Sequence, residues 1–227
     1  MMKARRTWWG EQMVFRYGKR RMKRHFNGLW LTGHNPLEER LAQLDPVTPL
    51  IFFSNHQSWW DGFLEIPLME RYRTDHRLMM EERNLARFPF FRHAGIFGVD
   101  LDSPQGRGAG LLYAARHLRK TGGKHRPALF IYPHGRIVPE YEPWPPFMAG
   151  VEGVLRLCPV ALAVPVVKRF TFSHEPGADV FIDLGPPLEP GQLRERSDLQ
   201  RALETLKDKQ AARLLAGDRQ ETMRIKL

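Results

Sequence analysis

Short apolar runs alternate with helical patterns from residue 48 to residue 216, and this alternation constrains the fold more than any other feature of the sequence. Leu50 to Phe53, Pro127 to Tyr132 and Pro159 to Val167 are apolar and bounded by polar residues, as expected of strands buried on both faces. His76 to Met80, Gly95 to Leu101 and Ala178 to Leu184 read as further strands. Glu81 to Arg87, Gln105 to Lys120 and Val151 to Leu157 read as helices, and Pro36 to Leu44 as a short one with Pro36 in its first turn. Ser197, with Gln200 three residues on, reads as the N-cap of a last helix carrying Leu199, Leu203, Leu206, Leu214 and Leu215, with Gly217 as its C-cap. Strands alternating with helices predict α/β: a single domain with a mostly parallel sheet flanked by helices. The chain has 227 residues, enough to bury a full core, and neither a repeat nor a long linker divides it.

The most informative boundary lies at the end of the first apolar run, where Phe53 gives way to Ser54-Asn55-His56. Asn55 and His56 fall just past a strand's carboxyl end, where open α/β sheets place their chemistry. Asp61 and Gly62 follow, and then an amphipathic helical pattern of Phe63, Ile66, Leu68, Met69 and Tyr72. A turn and one helical turn bring the Asp61 carboxylate back to the imidazole. A neutral imidazole, with an ordinary pKa of about 6.5, takes a proton near neutral pH. A carboxylate on its other nitrogen fixes the tautomer and stabilises the imidazolium that forms. The bare spacing also fits an N-capping Asp beside an unrelated loop histidine. The strand before His56 and the helix after Asp61 favour the pair.

This stretch resembles the N-H-x-x-x-x-D block of the glycerolipid (lysophospholipid) acyltransferase family, which includes 1-acylglycerol-3-phosphate acyltransferases. The resemblance extends over residues 26–190. Gly95 to Leu101 resembles the family's G-x-x-F-x-x-R block, with Leu101 at the position of the Arg. Tyr132-Pro133-His134-Gly135-Arg136 resembles F-P-E-G-T-R, with His134 for the Glu, Arg136 for the Thr and Ile137 for the Arg. Met148 stands where the family has a Lys, and Pro165-Val166 matches the end of a P-x-x-P-V block in which Leu162 replaces the first Pro. The resemblance implies acyl transfer from acyl-CoA or an acyl carrier protein to a hydroxyl of a lipid acceptor. His56 would be the general base and Asp61 its orienting partner, with no acyl-enzyme, cofactor or metal. It also implies substrate contacts at His134, Gly135 and Arg136. Asn55 and backbone amides near Gly135 are candidates for holding the oxyanion. Arg107, at the start of a helix, is a candidate substitute for the missing phosphate-binding Arg. Both acceptor blocks lack their charged residues, and a lost guanidinium removes a bidentate phosphate grip. The expected acceptor is therefore a glycosylated, amino-acid-linked or polyol lipid rather than plain lysophosphatidic acid.

The net charge of +10 is concentrated at one end. Residues 1–25 hold nine Lys and Arg against Glu11, a balance of +8 that leaves +2 for the other 202 residues. Bulky apolar groups interleave with these cations from Trp8 to Trp30, and on a helix Trp8, Phe15, Met22, Phe26 and Leu29 share a face. Aromatic groups suit the lipid headgroup layer, and each cation near an anionic bilayer contributes roughly 1 kcal/mol. The expected division is residues 1–30 as a basic amphipathic helix on an anionic membrane surface and residues 31–227 as the acyltransferase domain. The protein would be peripheral on the membrane's cytoplasmic face. An ordinary core-packing helix with a solvated basic face fits the same pattern. Nucleic acid is not expected as a partner, because the charge does not continue along the chain and no recognition motif accompanies it. No apolar run approaches a membrane span of roughly 18 residues, and no apolar region follows the first charges as in a signal peptide. The single Cys158 excludes an intrachain disulfide, fits a reducing compartment and, in apolar surroundings, reads as a buried thiol rather than a nucleophile. Phe88 to Phe91 is an aromatic knot, either core or the wall of an acyl-chain groove. Two other readings of the chain are a thioesterase or hydrolase that uses the same pair on water, and a non-enzymatic membrane or nucleic-acid binding module built on the basic N-terminus.

Overall fold

The computed structural model describes residues 1–120, 123–172, 174, 176–189 and 195–227. The chain begins with α1 (Trp8–His25), β1 (Phe26–Thr32), α2 (His34–Ala42) and β2 (Leu50–Ser54). Two short helices follow, α3 (Asp61–Leu64) and α4 (Ile66–Arg71), and then β3 (Thr74–Glu81), α5 (Glu82–Arg87) and a 3-10 turn (Pro89–Ala94). The middle of the chain forms β4 (Ile96–Val99), α6 (Pro104–Leu118), β5 (Arg126–Ile131) and α7 (Gly150–Leu157). It ends with β6 (Leu162–Phe172), β7 (Ala178–Leu184), α8 (Arg196–Leu215) and β8 (Met223–Arg224).

The strands form one sheet in the order β4-β3-β5-β2-β6-β7-β1-β8. Pairing is parallel from β4 through to β6 and between β7 and β1; β6 with β7 and β1 with β8 are antiparallel. The expected mostly parallel α/β sheet is present. β2 lies at its centre between β5 and β6, and its five residues are all buried. Alternation along β2 feeds two cores. Leu50 and Phe52 pack with Val14, Phe15 and Met22 of α1 and with Phe63, Ile66 and Met69. Ile51 and Phe53 pack with Ala114, Val154 and Leu203 of α6, α7 and α8. Each fully buried Phe or Leu contributes about 1.5–3 kcal/mol. Cys158 is a buried free thiol in the second core, as its apolar neighbours imply, and burial raises its pKa.

Three local expectations are corrected. The first helix stops at His25, and Phe26 to Thr32 form a strand rather than its last turns, so a boundary at residue 30 falls inside β1. Asn27 and Gly28 are poor helix residues, and Leu29 and Leu31 both point into the core while the strand pairs with β7. The last helix is capped by Glu195, not Ser197: Glu195 and Asp198 form a reciprocal capping box, and the Ser197 hydroxyl donates to Glu195. The face of α1 that carries Phe15 and Met22 is a core face, with Gly18 pressed so closely on Phe63 that a Cβ there would stand 2.6 Å from its ring. The exposed apolar residues of α1 are Trp8, Trp9, Met13 and Tyr17, interspersed with exposed Arg16, Arg20, Lys23 and Arg24. Of the face expected from the sequence, only Trp8 is exposed. Among the described residues no helix is long and apolar enough to cross a membrane.

Candidate active site

Because β2 and β5 are parallel neighbours, the loops at their carboxyl ends emerge side by side. The β2 loop turns back on itself, the Asp61 amide donating to the Ser58 carbonyl at 3.1 Å. This brings Asp61, the first residue of α3, beneath His56. Asp61 is fully buried, and its Oδ2 accepts hydrogen bonds from His56 Nδ1 at 2.7 Å, Gln57 N at 2.7 Å and Ser58 N at 2.8 Å. A carboxylate only accepts, so Nδ1 carries the imidazole proton and Nε2 the lone pair. The amide of Val138, past the β5 loop, donates to the His56 carbonyl at 2.7 Å and locks the two loops together.

A second network lies behind the pair. The His56 ring stacks on Tyr132, with centroids 4.2 Å apart and planes within 17°. The Tyr132 hydroxyl donates to Glu65 Oε1 at 3.1 Å, and Lys168 Nζ donates to the same oxygen at 2.6 Å. The ammonium also sits 4.7 Å from the Tyr132 ring centroid. Lys168 and Glu65 are essentially inaccessible, at 0% and 1% exposure. Burial pushes the Glu65 carboxyl up, and the Lys168 charge pulls it back. Burial and the Glu65 charge hold the Tyr132 phenol well above its usual range.

His56 opens onto a cleft of about 1330 Å³. Its interior runs between α1, α3 and the β3–β4 edge and is lined by Phe15, Phe63, Ile66, Leu78 and Phe91. Around His56 it is lined by Tyr132, His134, Gly135 and Met148. Gly135 has a φ of +68°, its amide donates to the Tyr132 carbonyl at 3.0 Å, and a Cβ there would stand 2.2 Å from Met148 Sδ. The site therefore needs glycine at this turn. His134 is 5% exposed, and neither ring nitrogen has a hydrogen-bond partner among the described residues. Burial, then the nearby Arg136, His56 and Lys207, pushes its imidazole down to about 4.

Among the residues singled out from the sequence, His56, His134, Gly135, Arg136 and Arg107 line this one cleft, with Asp61 behind His56. Asn55 does not line it. Asn55 is fully buried, donates to the Lys168 carbonyl at 2.9 Å and accepts from the Lys168 amide at 2.8 Å, so it clamps β2 to β6 instead of facing an oxyanion. The Gly135 amide, committed to its turn, is likewise unsuited to that role. Arg107 lies in the first turns of α6, but its guanidinium donates to the Leu101 carbonyl at 2.6 Å. Arg136 is exposed and pairs with Glu142 at 3.3 Å. Glu65, Lys168 and the stacking of Tyr132 were missed. The available signals were a lysine directly continuing the apolar run Leu162 to Val167, and a glutamate one helical turn after Asp61 among apolar residues. Among the described residues no group of three or more His, Cys, Asp or Glu stands where it would hold a metal ion.

No family model matches the sequence, and no curated protein matches it. The crystal structure of the 1-acyl-sn-glycerophosphate (LPA) acyltransferase PlsC from Thermotoga maritima superposes over 88% of this chain and 79% of that one, with a TM-score of 0.56 and 14% identity. The chain shares the fold of that acyltransferase. At this identity the likeness lies in the backbone, and the chemistry rests on the side chains described above. In this chain the central strand leads directly to the His56–Asp61 pair.

Proposed function

We propose that this protein is an O-acyltransferase that moves a fatty acyl group from an acyl thioester, carried by CoA or an acyl carrier protein, to a hydroxyl of a lipid-like acceptor. The observation that carries the reading is the 2.7 Å His56–Asp61 pair at the mouth of a long, largely apolar cleft. The fold shared with an acyltransferase supports it. Nε2 of His56 takes the acceptor's hydroxyl proton as the oxygen attacks the thioester carbonyl. The tetrahedral adduct collapses, the C–S bond breaks, and the imidazolium returns the proton to the departing thiolate. Asp61 stabilises the imidazolium and the Tyr132 ring supports it from one face. General base catalysis supplies about 10²–10⁴ in rate, and holding both substrates beside His56 supplies much of the rest.

The cleft's interior suits an acyl chain. The acceptor is a lipid other than plain lysophosphatidic acid. The exposed Trp8, Trp9, Met13 and Tyr17, among Arg16, Arg20, Lys23 and Arg24, suit an anionic bilayer surface on the cytoplasmic side. Thiol release from palmitoyl-CoA in the presence of a total lipid extract, with products read by mass spectrometry, tests the reaction. It should be lost in His56→Ala. Release that survives His56→Ala refutes the assignment, and free fatty acid formed equally without acceptor replaces it with a thioesterase.

A further inference from the structure

His134 is a polar ring more than nine-tenths buried, with both nitrogens unpartnered among the described residues, on the wall of the cleft that His56 opens onto. Its plane is held by Trp144, 5.2 Å away, and by Phe147, 5.1 Å away at 89°. A buried polar group without a partner is costly, and the group that completes it must come from the cleft. A neutral imidazole presents one donor and one acceptor, and a hydroxyl complements both. A phosphate complements only the donor, leaves the acceptor nitrogen bare, and needs a cationic fork or several N–H groups to leave water. Of the cations near His134, Lys207 lies over the Trp144 ring, 4.3 Å from its centroid, and the closer groups are committed elsewhere. The Gly135 amide donates to Tyr132, Arg136 is exposed and turned to Glu142, and Met148 forms an apolar wall against Gly135.

We infer that His134 binds a second hydroxyl of the acceptor, next to the one that His56 deprotonates, and that the acceptor is a lipid with an uncharged polyol or sugar headgroup. This rests on the acyl-transfer reading above. The hydrogen bond from the Val138 amide to the His56 carbonyl ties the loop that carries His134 to the loop that carries His56. His134 is thus a specificity residue that recognises a pair of neighbouring hydroxyls rather than a single alcohol.

The test uses palmitoyl-CoA with three acceptors: dodecyl β-glucoside, 1-dodecanol and lysophosphatidic acid. The wild type should acylate the glucoside in preference to the other two. His134→Leu should lower the kcat/KM preference for glucoside over dodecanol about tenfold, chiefly through KM for the glucoside, as expected for one lost hydrogen bond. His134→Gln, which keeps a neutral donor and acceptor, should recover most of it. A ratio between acceptors is insensitive to a general loss of folded enzyme. An unchanged ratio in His134→Leu overturns the inference, and so does a wild type that prefers lysophosphatidic acid or leaves the glucoside untouched. If thiol release does not depend on His56 with any acceptor, the acyl-transfer reading falls and this inference falls with it.

Discussion

Lys168 donates to Glu65 at 2.6 Å in a site closed to water, so replacing it tests what the buried pair contributes. Lys168→Met keeps the length of the side chain and removes its charge. Glu65 is then left with a buried carboxylate whose Oε2 already lacks a partner among the described residues. Breaking a buried pair in this way costs about 3–5 kcal/mol. Protonation of Glu65 limits the loss. Holding a carboxyl of ordinary pKa, about 4.3, protonated at pH 7 costs about 3.7 kcal/mol, and at pH 5 only about 1 kcal/mol. Burial raises the folded-state pKa of an unpaired Glu65, so its penalty is absent at low pH and grows as pH rises above the unfolded value. Lys168→Met should therefore lose close to 4 kcal/mol at pH 7 and recover roughly 2–3 kcal/mol of this at pH 5, relative to wild type. The double variant Lys168→Met/Glu65→Gln removes both charges, keeps an acceptor for Tyr132 and should regain most of the stability at either pH. Denaturant unfolding at both pH values measures this. A loss below about 1 kcal/mol at pH 7, or the same loss at pH 5, would refute an ionised pair at this site.

Asp61→Asn keeps an oxygen that can accept from His56 Nδ1 but removes the charge that stabilises the imidazolium, and should lower kcat by at least about 10², measured by thiol release under saturating substrates. Acid should destabilise the fold through His76, which is fully buried with Nε2 on the Ala94 carbonyl, and whose pKa burial, together with the Arg6 charge, pushes down to about 4. The unfolded chain binds that proton first, so stability falls as pH drops from about 6.5 to 4, by up to about 3 kcal/mol, and His76→Gln should flatten the slope in an unfolding titration. Arg20→Glu with Arg24→Glu should weaken binding to vesicles containing phosphatidylserine by about 1 kcal/mol per cation removed, more at low salt, as read by cosedimentation.

The parallel sheet and the His56–Asp61 pair were legible because each rests on local order: an apolar run of strand length, a polar break, and a carboxylate at the start of a helix. β1 was not, because Phe26 to Thr32 continues the aromatic spacing of α1, and only pairing with β7, some 150 residues away, decides for a strand. The direction of α1 was misjudged for a related reason. Trp8 and Phe15 are both bulky and apolar, and only the position of Phe63 and Ile66 against Gly18 selects which side faces inward. Asn55 looked like a donor for an oxyanion because it adjoins His56; its partner is the backbone of Lys168, 113 residues on. Lys168 thereby links what local patterns keep apart. Its backbone is held by Asn55 at the end of β2, and its side chain holds Glu65, the residue that caps α4. Through Glu65 it also holds Tyr132, on which His56 stacks. Lys168 in β6, Glu65 between α3 and α4, and Tyr132 at the end of β5 are thus tied together behind one imidazole, and loosening the buried charge should disturb His56 before it disturbs the sheet.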